Sequence, residues 1–349
     1  MTSGGRRRLE IIRDPLWNNI RVDPVALALI DTPSFQRLRY VRQLGLAYLV
    51  YPGASHTRFE HALGTHHLAR RALAQLDERG ELARVGADEC AIVRAAALLH
   101  DIGHYPFSHA LEEIGAPHHE EVARPLIGEG SVAETLRREL APDAPERIVA
   151  LIRGASASPL QGLISGSLDL DKIEYLKRDA FMCGVPYGEI DVDRLLNSLV
   201  LVDVDGRGPS VGVREKGLSA LESLLFAKYQ MYRNVYWHHA VRSATAMYKR
   251  LVEEAIEAGR LDAPQLAGFT DERLLVALER PDGPPLLRAL RERRLFKRAF
   301  ECPAAELDGL DAEWIAEDRR RVLAVERELA RELGLDRGEV LLDYPTKTQ

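Results

Sequence analysis

The segment AIVRAAALLH at residues 91–100 constrains the fold more than any other part of the chain, because it is apolar on almost every face of a helix. A helix without a polar face is normally buried at the centre of a helical domain. Gly103 and Pro106 then interrupt the helical pattern, so the helix ends at His100 and Asp101. The sequence therefore predicts a mainly α protein in which a His-Asp pair closes a central helix and faces an open side.

Apolar residues that recur every three to four positions predict further helices on both sides of this segment. The predicted helices are two within 24–47 that are separated at Pro33, and others over 58–76, 88–100, 119–127, 131–140, 145–153, 171–181, 191–197, 218–258 (with a kink) and 312–333. Residues 198–215 alternate β-branched side chains around a Gly-Arg-Gly-Pro turn, which predicts a β-hairpin, and Val340–Asp343 predicts a short strand. We expect a helical core over residues 1–260 that includes the hairpin, and a mixed α/β C-terminal extension over residues 261–349.

The composition narrows the classes of function. A formal net charge of −6 argues against a nucleic-acid binder that depends on bulk positive charge, although 47 Lys and Arg residues can still build a local basic pocket. The cysteines at positions 90, 183 and 302 are too few and too scattered for a disulfide framework or a zinc knuckle. No stretch reaches the ~18 apolar residues that span a bilayer, and no apolar segment near the N-terminus precedes a cleavage site. We expect a cytoplasmic protein without a membrane segment.

Histidine is the informative residue count. Nine of the 11 histidines fall between His56 and His119, and the other two are the pair His238–His239. Histidines that serve only as surface residues would be scattered along the chain. Clustering within a short stretch indicates metal ligands or proton carriers.

Four residues are candidate ligands of one divalent metal ion: His61, His100, Asp101 and Asp171. Imidazole and carboxylate ligands suit Mn, Fe, Co, Ni, Zn or Mg, and the absence of thiolates counts against a structural zinc site. Two histidines and two aspartates leave coordination positions open for water and a phosphate oxygen. Alternatives stay open: His61 can be a core histidine, and Asp171 can be a helix N-cap. Asp169 competes with Asp171 both as the N-cap and as the metal ligand.

Four segments carry a resemblance to a known family: HTRFEHALGTHHLA (56–69), LLHDIGHYPFSHALE (98–112), HHEE (118–121) and DLDKIEYLKRD (169–179). They resemble the HD superfamily of phosphohydrolases and, within it, the deoxynucleoside triphosphate triphosphohydrolase branch. Residues 13–61 are similar to the N-terminal block of that branch almost without gaps, and the similarity extends to about residue 255. The resemblance implies an HD-domain helical bundle and the same four metal ligands.

The resemblance also implies four catalytic residues: His104, His109, Glu112 and His119. Departure of a nucleoside 5′-oxygen requires a proton, which a nearby histidine supplies. A carboxylate beside an imidazole fixes its tautomer and raises its basicity. We favour His109 backed by Glu112 as the acid, but the sequence does not separate the roles of the three histidines, and a helix cap or a surface position is the alternative for each.

A triphosphate carries about four negative charges and needs several fixed cations. Residues similar to those of the family supply the substrate site: Gln43, Leu44, Arg58, Lys172, Tyr175, Asp179, Lys228 and Tyr236. The resemblance implies that the three basic residues hold phosphates, that Tyr175 and Asp179 hold phosphate and the sugar 3′-hydroxyl, and that Tyr236 packs on the deoxyribose. Packing of Tyr175 and Tyr236 between helices, and a solvated Lys228, are the alternatives.

A second nucleotide site is implied by IDTPSFQRLR, in which Asp31, Gln36 and Arg39 are similar to residues of the family that bind an effector nucleotide at a subunit interface. Glu10 and Arg13 depart from the family pattern, which expects a lysine and an asparagine there. We therefore expect a homo-oligomer with a nucleotide-binding interface near residues 10–39. The alternatives are a helix cap for Asp31 and a surface charge for Arg39.

These expectations together indicate a metal-dependent enzyme that cleaves deoxynucleoside triphosphates to deoxynucleoside and triphosphate. One alternative is an HD phosphatase that acts on nucleoside mono- or diphosphates or on a modified nucleotide. Another is a non-catalytic regulator that binds nucleotides, which the intact ligand set disfavours. A nuclease is disfavoured by the acidic net charge.

Overall fold

The computed structural model describes residues 9–203, 206, 208–279, 283–303, 306–307 and 312–345, and helices dominate these residues. The helices are α1 (Pro24–Ile30), α2 (Pro33–Gln36), α3 (Arg58–Glu78), α4 (Ala87–Leu99), α5 (His119–Gly128), α6 (Gly130–Glu139), α7 (Ala144–Ile152), α8 (Leu170–Cys183), α9 (Val192–Leu196), α10 (Leu218–Met231), α11 (His239–Glu257), α12 (Asp271–Ala277), α13 (Pro285–Arg291), α14 (Trp314–Glu317) and α15 (Arg319–Leu333). Two antiparallel hairpins consist of β1 (Glu10–Asp14) with β2 (Asn18–Val22), and β3 (Leu199–Asp203) with β4 (Pro209–Val213). The prediction of a mainly α fold with a small hairpin is confirmed.

Helix α4 lies at the centre of the main hydrophobic core, as its apolar sequence predicts. Every residue from Ala95 to Leu99 is buried. Helix α3 packs against α4 and α8, while α4 also packs against α7. A capping box, in which Thr57 and Glu60 exchange hydrogen bonds, starts α3 one turn before His61. This packing directs the start of α3, the end of α4 and the start of α8 to the same region.

The hairpin predicted at 198–215 is present as β3 and β4, and part of its turn (204, 205 and 207) lies outside the described residues. The hairpin of β1 and β2 was not predicted. Its turn is closed by Asp14, whose Oδ1 accepts hydrogen bonds from the backbone N of Leu16 at 2.9 Å and of Trp17 at 2.7 Å. Arg178 of α8 donates to the other oxygen of Asp14 at 3.0 Å, so a partner far along the chain stabilises this turn.

The second helix predicted within 24–47 is wrong beyond Gln36. Residues Arg37–Tyr40 and Gly45–Leu49 form 3₁₀ turns instead. Between them the chain is extended, since Gln43 N donates to His56 O at 3.0 Å and Arg58 N donates to Val41 O at 2.9 Å. Pairing with the segment that precedes α3 thus overrides the local helical pattern.

The C-terminal part corrects two further predictions. The single long helix expected over 218–258 is divided into α10, a π-helical turn at Tyr232–Tyr236, and α11, so the predicted kink is present as a break. Val340–Asp343 is not a strand, and the described residues after 260 contain helices and irregular segments but no strand. The β part of the predicted α/β extension is therefore wrong. Leu342 N donates instead to Glu326 of α15 at 2.8 Å.

A second hydrophobic cluster joins the C-terminal helices to the central region. It combines residues of α11, α12 and α13 with Leu46, Tyr105, Phe107 and Leu111. The cluster crosses residue 260, and the domain boundary expected there stays a prediction. Within the described residues, none of the helices has the length and apolar character to cross a membrane.

Candidate active site

Three helices bring the four predicted metal ligands to one point. His61 lies in the first turn of α3, His100 and Asp101 directly follow α4, and Asp171 is the second residue of α8. His61 Nε2 lies 2.9 Å from Asp171 Oδ1, 3.1 Å from His100 Nε2 and 3.5 Å from Asp101 Oδ2. Asp171 is partly exposed and the other three are buried. The site therefore opens to one side only.

The outer hydrogen bonds of both histidines leave their Nε2 atoms facing each other. His61 Nδ1 donates to Glu174 Oε2 at 2.7 Å, and His100 Nδ1 donates to Ala97 O at 2.9 Å. In a neutral ring with this tautomer, Nε2 carries a lone pair, and two lone pairs 3.1 Å apart cannot satisfy each other. A divalent cation shared with the two aspartates satisfies all of these groups, so the residues fit a metal ion.

The electrostatics of His61 agree with this fit. Burial by itself lowers the pKa of His61, but its bonds with Asp171 and Glu174 and the charge of Asp101 raise the pKa to about 10. Hydrogen bonds from His100 and His61 hold the pKa of Asp171 far below its ordinary value despite burial. The pocket thus strongly favours a positive charge, which in the metal-free chain is a proton that a metal ion would displace.

Glu174 is a site residue that sequence reasoning missed. It is fully buried, and its Oε1 accepts hydrogen bonds from Trp17 Nε1 and Arg178 Nε, each at 2.8 Å. Burial raises the pKa of Glu174, but Arg178 and His61 lower it to about 2, so it is ionised. The available signal was its position three residues after Asp171, which places both carboxylates on the same face of α8.

Asp169, the rival ligand, is occupied elsewhere. Its Oδ1 accepts from Lys172 N at 3.0 Å as the N-cap of α8, and its Oδ2 accepts from Lys172 Nζ at 2.5 Å and from Gly166 N at 3.3 Å. These bonds leave Asp171 as the carboxylate of this segment that faces the two histidines.

The predicted catalytic residues form a second cluster beside the metal ligands. The rings of His104 and His119 stack with centroids 3.9 Å apart, and His109 lies edge-on to His104 at 4.7 Å. Glu112 Oε1 lies 3.0 Å from His119 Nδ1 and 3.4 Å from His109 Nδ1. Glu112 thus lies closer to His119 than to His109.

His104 connects the two clusters. Its Nε2 lies 2.9 Å from Asp101 Oδ1, and its Nδ1 is buried without a hydrogen-bond partner among the described residues. Burial, together with the charges of Arg58 and His119, lowers the pKa of His104 well below its ordinary value. The neutral form of His104 is therefore favoured, and with its Nε2–H directed at Asp101 its Nδ1 is left as a hydrogen-bond acceptor.

A cavity of about 950 Å³ opens beside these clusters. Its lining includes His100, Asp101, Asp171, the three histidines of the second cluster, and every residue predicted to bind substrate: Gln43, Leu44, Arg58, Lys172, Tyr175, Asp179, Lys228 and Tyr236. His61 and Glu112 lie behind this lining. The structure thus brings together residues that are up to 193 positions apart, from Gln43 to Tyr236.

The basic residues of the cavity differ in how far they are neutralised. Arg58 is buried and donates to Asp101 Oδ2 at 2.6 Å and to Ser108 Oγ at 3.1 Å. Lys172 is bound to Asp169 and to Gly166 O. Burial and the charge of Lys172 lower the pKa of Lys228, while Asp169 raises it. Such an arrangement favours an anionic ligand.

The aromatic wall of the cavity is fixed by Asp179. Tyr236 donates its hydroxyl to Asp179 Oδ2 at 2.7 Å, and His56 Nε2 lies 2.7 Å from Asp179 Oδ1. Burial and the charge of Asp179 raise the pKa of Tyr236 well above its ordinary value, and Tyr175 lies 6.4 Å from the Tyr236 ring. Opposite, Gln43 is buried and its Oε1 has no partner among the described residues. That amide oxygen is available to a ligand.

Asp31, Gln36 and Arg39, the residues expected to bind an effector, do not line the cavity. Gln36 Nε2 donates to Ile30 O at 2.8 Å, and Arg39 Nε donates to Gln36 Oε1 at 2.8 Å. The Arg39 guanidinium stacks 3.5 Å from the centre of the Phe59 ring. Asp31 is exposed and is the C-cap of α1. These contacts are consistent with a nucleotide site, and equally with a helix cap for Asp31 and a surface charge for Arg39.

Two family models match the chain. The HD domain matches residues 58–160, which contain His61, His100 and Asp101, and the HD associated region matches residues 190–349. Together with the clustered His and Asp residues at the helix ends, these matches define a metal-site domain of the HD type.

Relatives cover most of the chain. An uncharacterized protein of Methanocaldococcus jannaschii is 37% identical over 331 residues, 94% of this chain and 68% of that protein. The uncharacterized protein YwfO of Bacillus subtilis is 35% identical over 70% of this chain, and the bovine deoxynucleoside triphosphate triphosphohydrolase SAMHD1 is 31% identical over 66%. The chain spans only 56% and 45% of the lengths of the last two proteins.

Solved structures agree with this relationship. A hypothetical protein of Aquifex aeolicus is 33% identical, with a TM-score of 0.74 over 91% of this chain and 82% of that one. A phosphohydrolase of Bacteroides thetaiotaomicron is 26% identical, with a TM-score of 0.74 over 95% of this chain and 85% of that one. The chain belongs to the HD superfamily of phosphohydrolases.

Proposed function

We propose that the protein is a metal-dependent deoxynucleoside triphosphate triphosphohydrolase, which converts a dNTP and water to a deoxynucleoside and intact triphosphate. The observation that carries this proposal is the order of groups in one cavity: a metal-ligand cluster, a histidine cluster, a pair of lysines and an aromatic wall. A relative with this activity in its name, bovine SAMHD1, supports the substrate class. We place the reaction in the cytoplasm, where deoxynucleotides are made and used.

In this proposal His61, His100, Asp101 and Asp171 hold the metal ion, and Glu174 fixes the tautomer of His61. The bound ion would polarise a phosphate oxygen and lower the pKa of a water molecule. Asp101 also lies against Arg58 and His104, so the ligand shell and the phosphate-binding residues share one carboxylate. Correct placement of the α-phosphate therefore depends on these protein contacts as well as on the ion.

The bond that breaks is the one between the α-phosphorus and the 5′-oxygen. Water supplies the oxygen that the triphosphate gains, and the departing 5′-oxygen takes a proton from His109, whose carboxylate partner is Glu112. In the proposal His119, which shares Glu112, and His104 contact the reacting phosphate. Glu112 is ionised because its bonds with the two histidines lower its pKa despite burial.

Lys172 and Lys228 bind the β- and γ-phosphates in this proposal. The charge of Lys172 lowers the pKa of Lys228, so a polyphosphate that lies between the two lysines would relieve their repulsion. Tyr236, held by Asp179, packs against the deoxyribose and leaves no room for a 2′-hydroxyl. The free amide oxygen of Gln43 faces the sugar and base.

The test is a panel of nucleotides incubated with the manganese-loaded full chain. We expect dNTPs to give deoxynucleoside and triphosphate, with slower turnover of NTPs. Preferred release of orthophosphate from dNMPs or a modified nucleotide would instead identify an HD phosphatase, and binding without turnover would identify a regulator.

Lys228→Ala should raise KM for dNTPs about tenfold. Lys216 is an exposed lysine outside the cavity, so Lys216→Ala should leave KM unchanged.

We also propose a homo-oligomer with an effector-nucleotide site near residues 10–39. The exposure of Arg13, Asp31 and Arg39 supports it, whereas the exposed Glu10 adds an anion where the family pattern has a lysine. An effector activates only if it binds the active assembly more tightly than the inactive one. Light scattering and initial rates with and without dGTP test this, since a constant mass with hyperbolic kinetics would contradict it.

A further inference from the structure

The turn between His104 and His109 has a strained backbone. Phe107 and Ser108 are consecutive residues with positive φ angles of 58° and 64°. Residues other than glycine adopt this conformation only at an energetic cost. Such strain persists only where surrounding contacts hold it, and it concentrates at functional sites. The contacts that hold this turn therefore bear on the placement of both histidines.

Asp271, the first residue of α12, makes the direct contact with the turn. Its Oδ1 accepts a hydrogen bond from Phe107 N at 2.8 Å. Its Oδ2 accepts from Arg42 N at 3.0 Å and from Arg42 Nη1 at 3.3 Å. The residue is 2% exposed, although it lies 164 positions from Phe107 in the chain. One carboxylate thus joins the strained turn to the segment next to Gln43.

Arg37 makes a second connection between the same two regions. Its Nη2 donates to Ile102 O at 3.0 Å and to His104 O at 2.8 Å, while its Nη1 donates to Phe269 O at 3.0 Å. The loop that follows the His100–Asp101 pair and the segment that leads into α12 are therefore attached through one partly buried side chain.

The turn is connected to the chemistry through Ser108. Its Oγ accepts from Arg58 Nε at 3.1 Å and lies 2.8 Å from Gln43 O, to which it can donate. Arg58 in turn donates to Asp101. A shift of the Phe107–Ser108 backbone would therefore move Arg58 as well as His104 and His109. Asp271 itself lies outside the cavity lining, so it acts only through these residues.

We propose that Asp271 is a positioning residue: from the C-terminal region it holds the Phe107–Ser108 turn in the conformation that directs His104, His109 and Arg58 into the cavity. This gives the HD-associated region, which matches residues 190–349, a part in catalysis through a residue that does not touch substrate. A purely structural Asp271 would affect the stability of the fold but not the rate per folded molecule. The kinetic test rests on the proposed function, whereas the exchange test below does not.

The kinetic test uses the full chain with Asp271→Ala and Asp271→Asn. The matched control is Glu272→Ala, which removes the next carboxylate of the same helix, an exposed one that binds Arg291. At temperatures well below each Tm, we expect Asp271→Ala to lower kcat about 10- to 100-fold, with KM within about threefold and bound metal unchanged. Asp271→Asn keeps an acceptor for Phe107 N but turns an N–H₂ group toward Arg42 N, so its kcat should be intermediate.

The exchange test measures amide hydrogen exchange of the peptide that covers residues 102–112. Loss of the acceptor for Phe107 N should speed exchange of this peptide about tenfold in Asp271→Ala, while peptides from α3 keep their protection. Glu272→Ala should leave both unchanged. This readout requires no substrate, so it decides the inference even if the wild-type chain hydrolyses no dNTP and the proposed function fails.

Two results would overturn the inference. One is a kcat for folded Asp271→Ala within twofold of that of Glu272→Ala. The other is unchanged exchange in residues 102–112. If Asp271→Ala does not fold, the same two criteria apply to Asp271→Asn.

Discussion

His61 and His100 face each other with their Nε2 atoms 3.1 Å apart, and the Nδ1 atom of each ring is already committed to another acceptor. Two helices therefore hold two imidazole lone pairs against each other inside the core. A positive charge shared with Asp101 and Asp171 makes this arrangement favourable, and it is a proton on His61 in the metal-free chain or a metal ion in its place. The proposed metal site thus lies where the start of α3 meets the end of α4.

Glu174 should control metal affinity without being a ligand. Because it fixes the Nδ1 proton of His61, Glu174→Gln should weaken metal binding about 10- to 100-fold. Competition with a fluorescent chelator measures this affinity. Glu60→Gln is the matched control, since Glu60 caps the same helix without touching the rings. Equal affinities for the two variants would contradict the proposed role of Glu174.

The histidine cluster should show a hierarchy of rates. His109→Ala removes the proposed proton donor and should lower kcat about 100-fold or more with little change in KM. His119→Ala should raise KM and lower kcat less, because His119 binds phosphate in the proposal. Glu112→Gln should lower kcat about tenfold, since Glu112 contacts both rings. Steady-state kinetics decide the order, and a larger loss of kcat in His119→Ala would assign the proton to that residue.

How far the sequence predicts the molecule depends on the range of the contacts. Helices α3, α4 and α8 were predicted because their apolar patterns and caps are local, and the four ligands lie at the ends of these helices. Only the spacing of Glu174 from Asp171 pointed to its role, and nothing local pointed to that of Asp271, since the partners of these residues include Trp17 and Phe107, 157 and 164 positions away.

The same reason explains the errors in secondary structure. The β1–β2 hairpin depends on Asp14, which Arg178 holds from another helix. The predicted terminal strand is an extended segment whose Asp343 binds Arg242 and Lys249. In both cases a charged partner that is distant in the chain adds to the local contacts.

His66 should make the protein acid-sensitive. It is 1% exposed, its Nε2 has no partner among the described residues, and burial lowers its pKa to about 4. The unfolded chain binds a proton near pH 6.5 that the folded chain binds only near pH 4, so stability falls as the pH drops between these values. The slope from His66 should be at most about 1.4 kcal/mol per pH unit.

Replacement of His66 tests this directly. Urea unfolding between pH 4.5 and 7.5 should show a shallower pH dependence for His66→Gln than for wild type. The neighbouring His67 is shifted in the same direction by burial and Arg71, so part of the slope should remain. Identical pH dependence in the two proteins would exclude a buried neutral His66.

Asp343 should stabilise the attachment of the C-terminal segment. It accepts from Arg242 at 2.7 Å and from Lys249 at 3.0 Å, and despite burial these cations lower its pKa to about 2. Asp343→Ala leaves both cations with only Glu113 and should cost about 2–4 kcal/mol. Because the folded pKa is depressed, the stabilisation is present above about pH 4 and is lost as the pH falls toward 2.

A surface ion pair provides the control for Asp343. Glu257 and Arg337 join α11 to the same C-terminal segment at 3.0 Å, but both side chains are about half exposed. Glu257→Ala should therefore change the free energy of unfolding by less than about 1 kcal/mol. Thermal or urea unfolding compares the two variants, and equal losses would mean that the buried network contributes nothing specific.

The most direct test of the proposed chemistry is a reaction of dGTP with the manganese-loaded chain in ¹⁸O-water, followed by ³¹P NMR and mass spectrometry of both products. We predict that triphosphate is the primary product, that it carries one ¹⁸O at its terminal phosphorus, and that deoxyguanosine carries none. Asp101→Ala, which removes a ligand, should give neither product. Orthophosphate or pyrophosphate as the primary product, or ¹⁸O in the deoxyguanosine, would contradict cleavage between the α-phosphorus and the 5′-oxygen at this site.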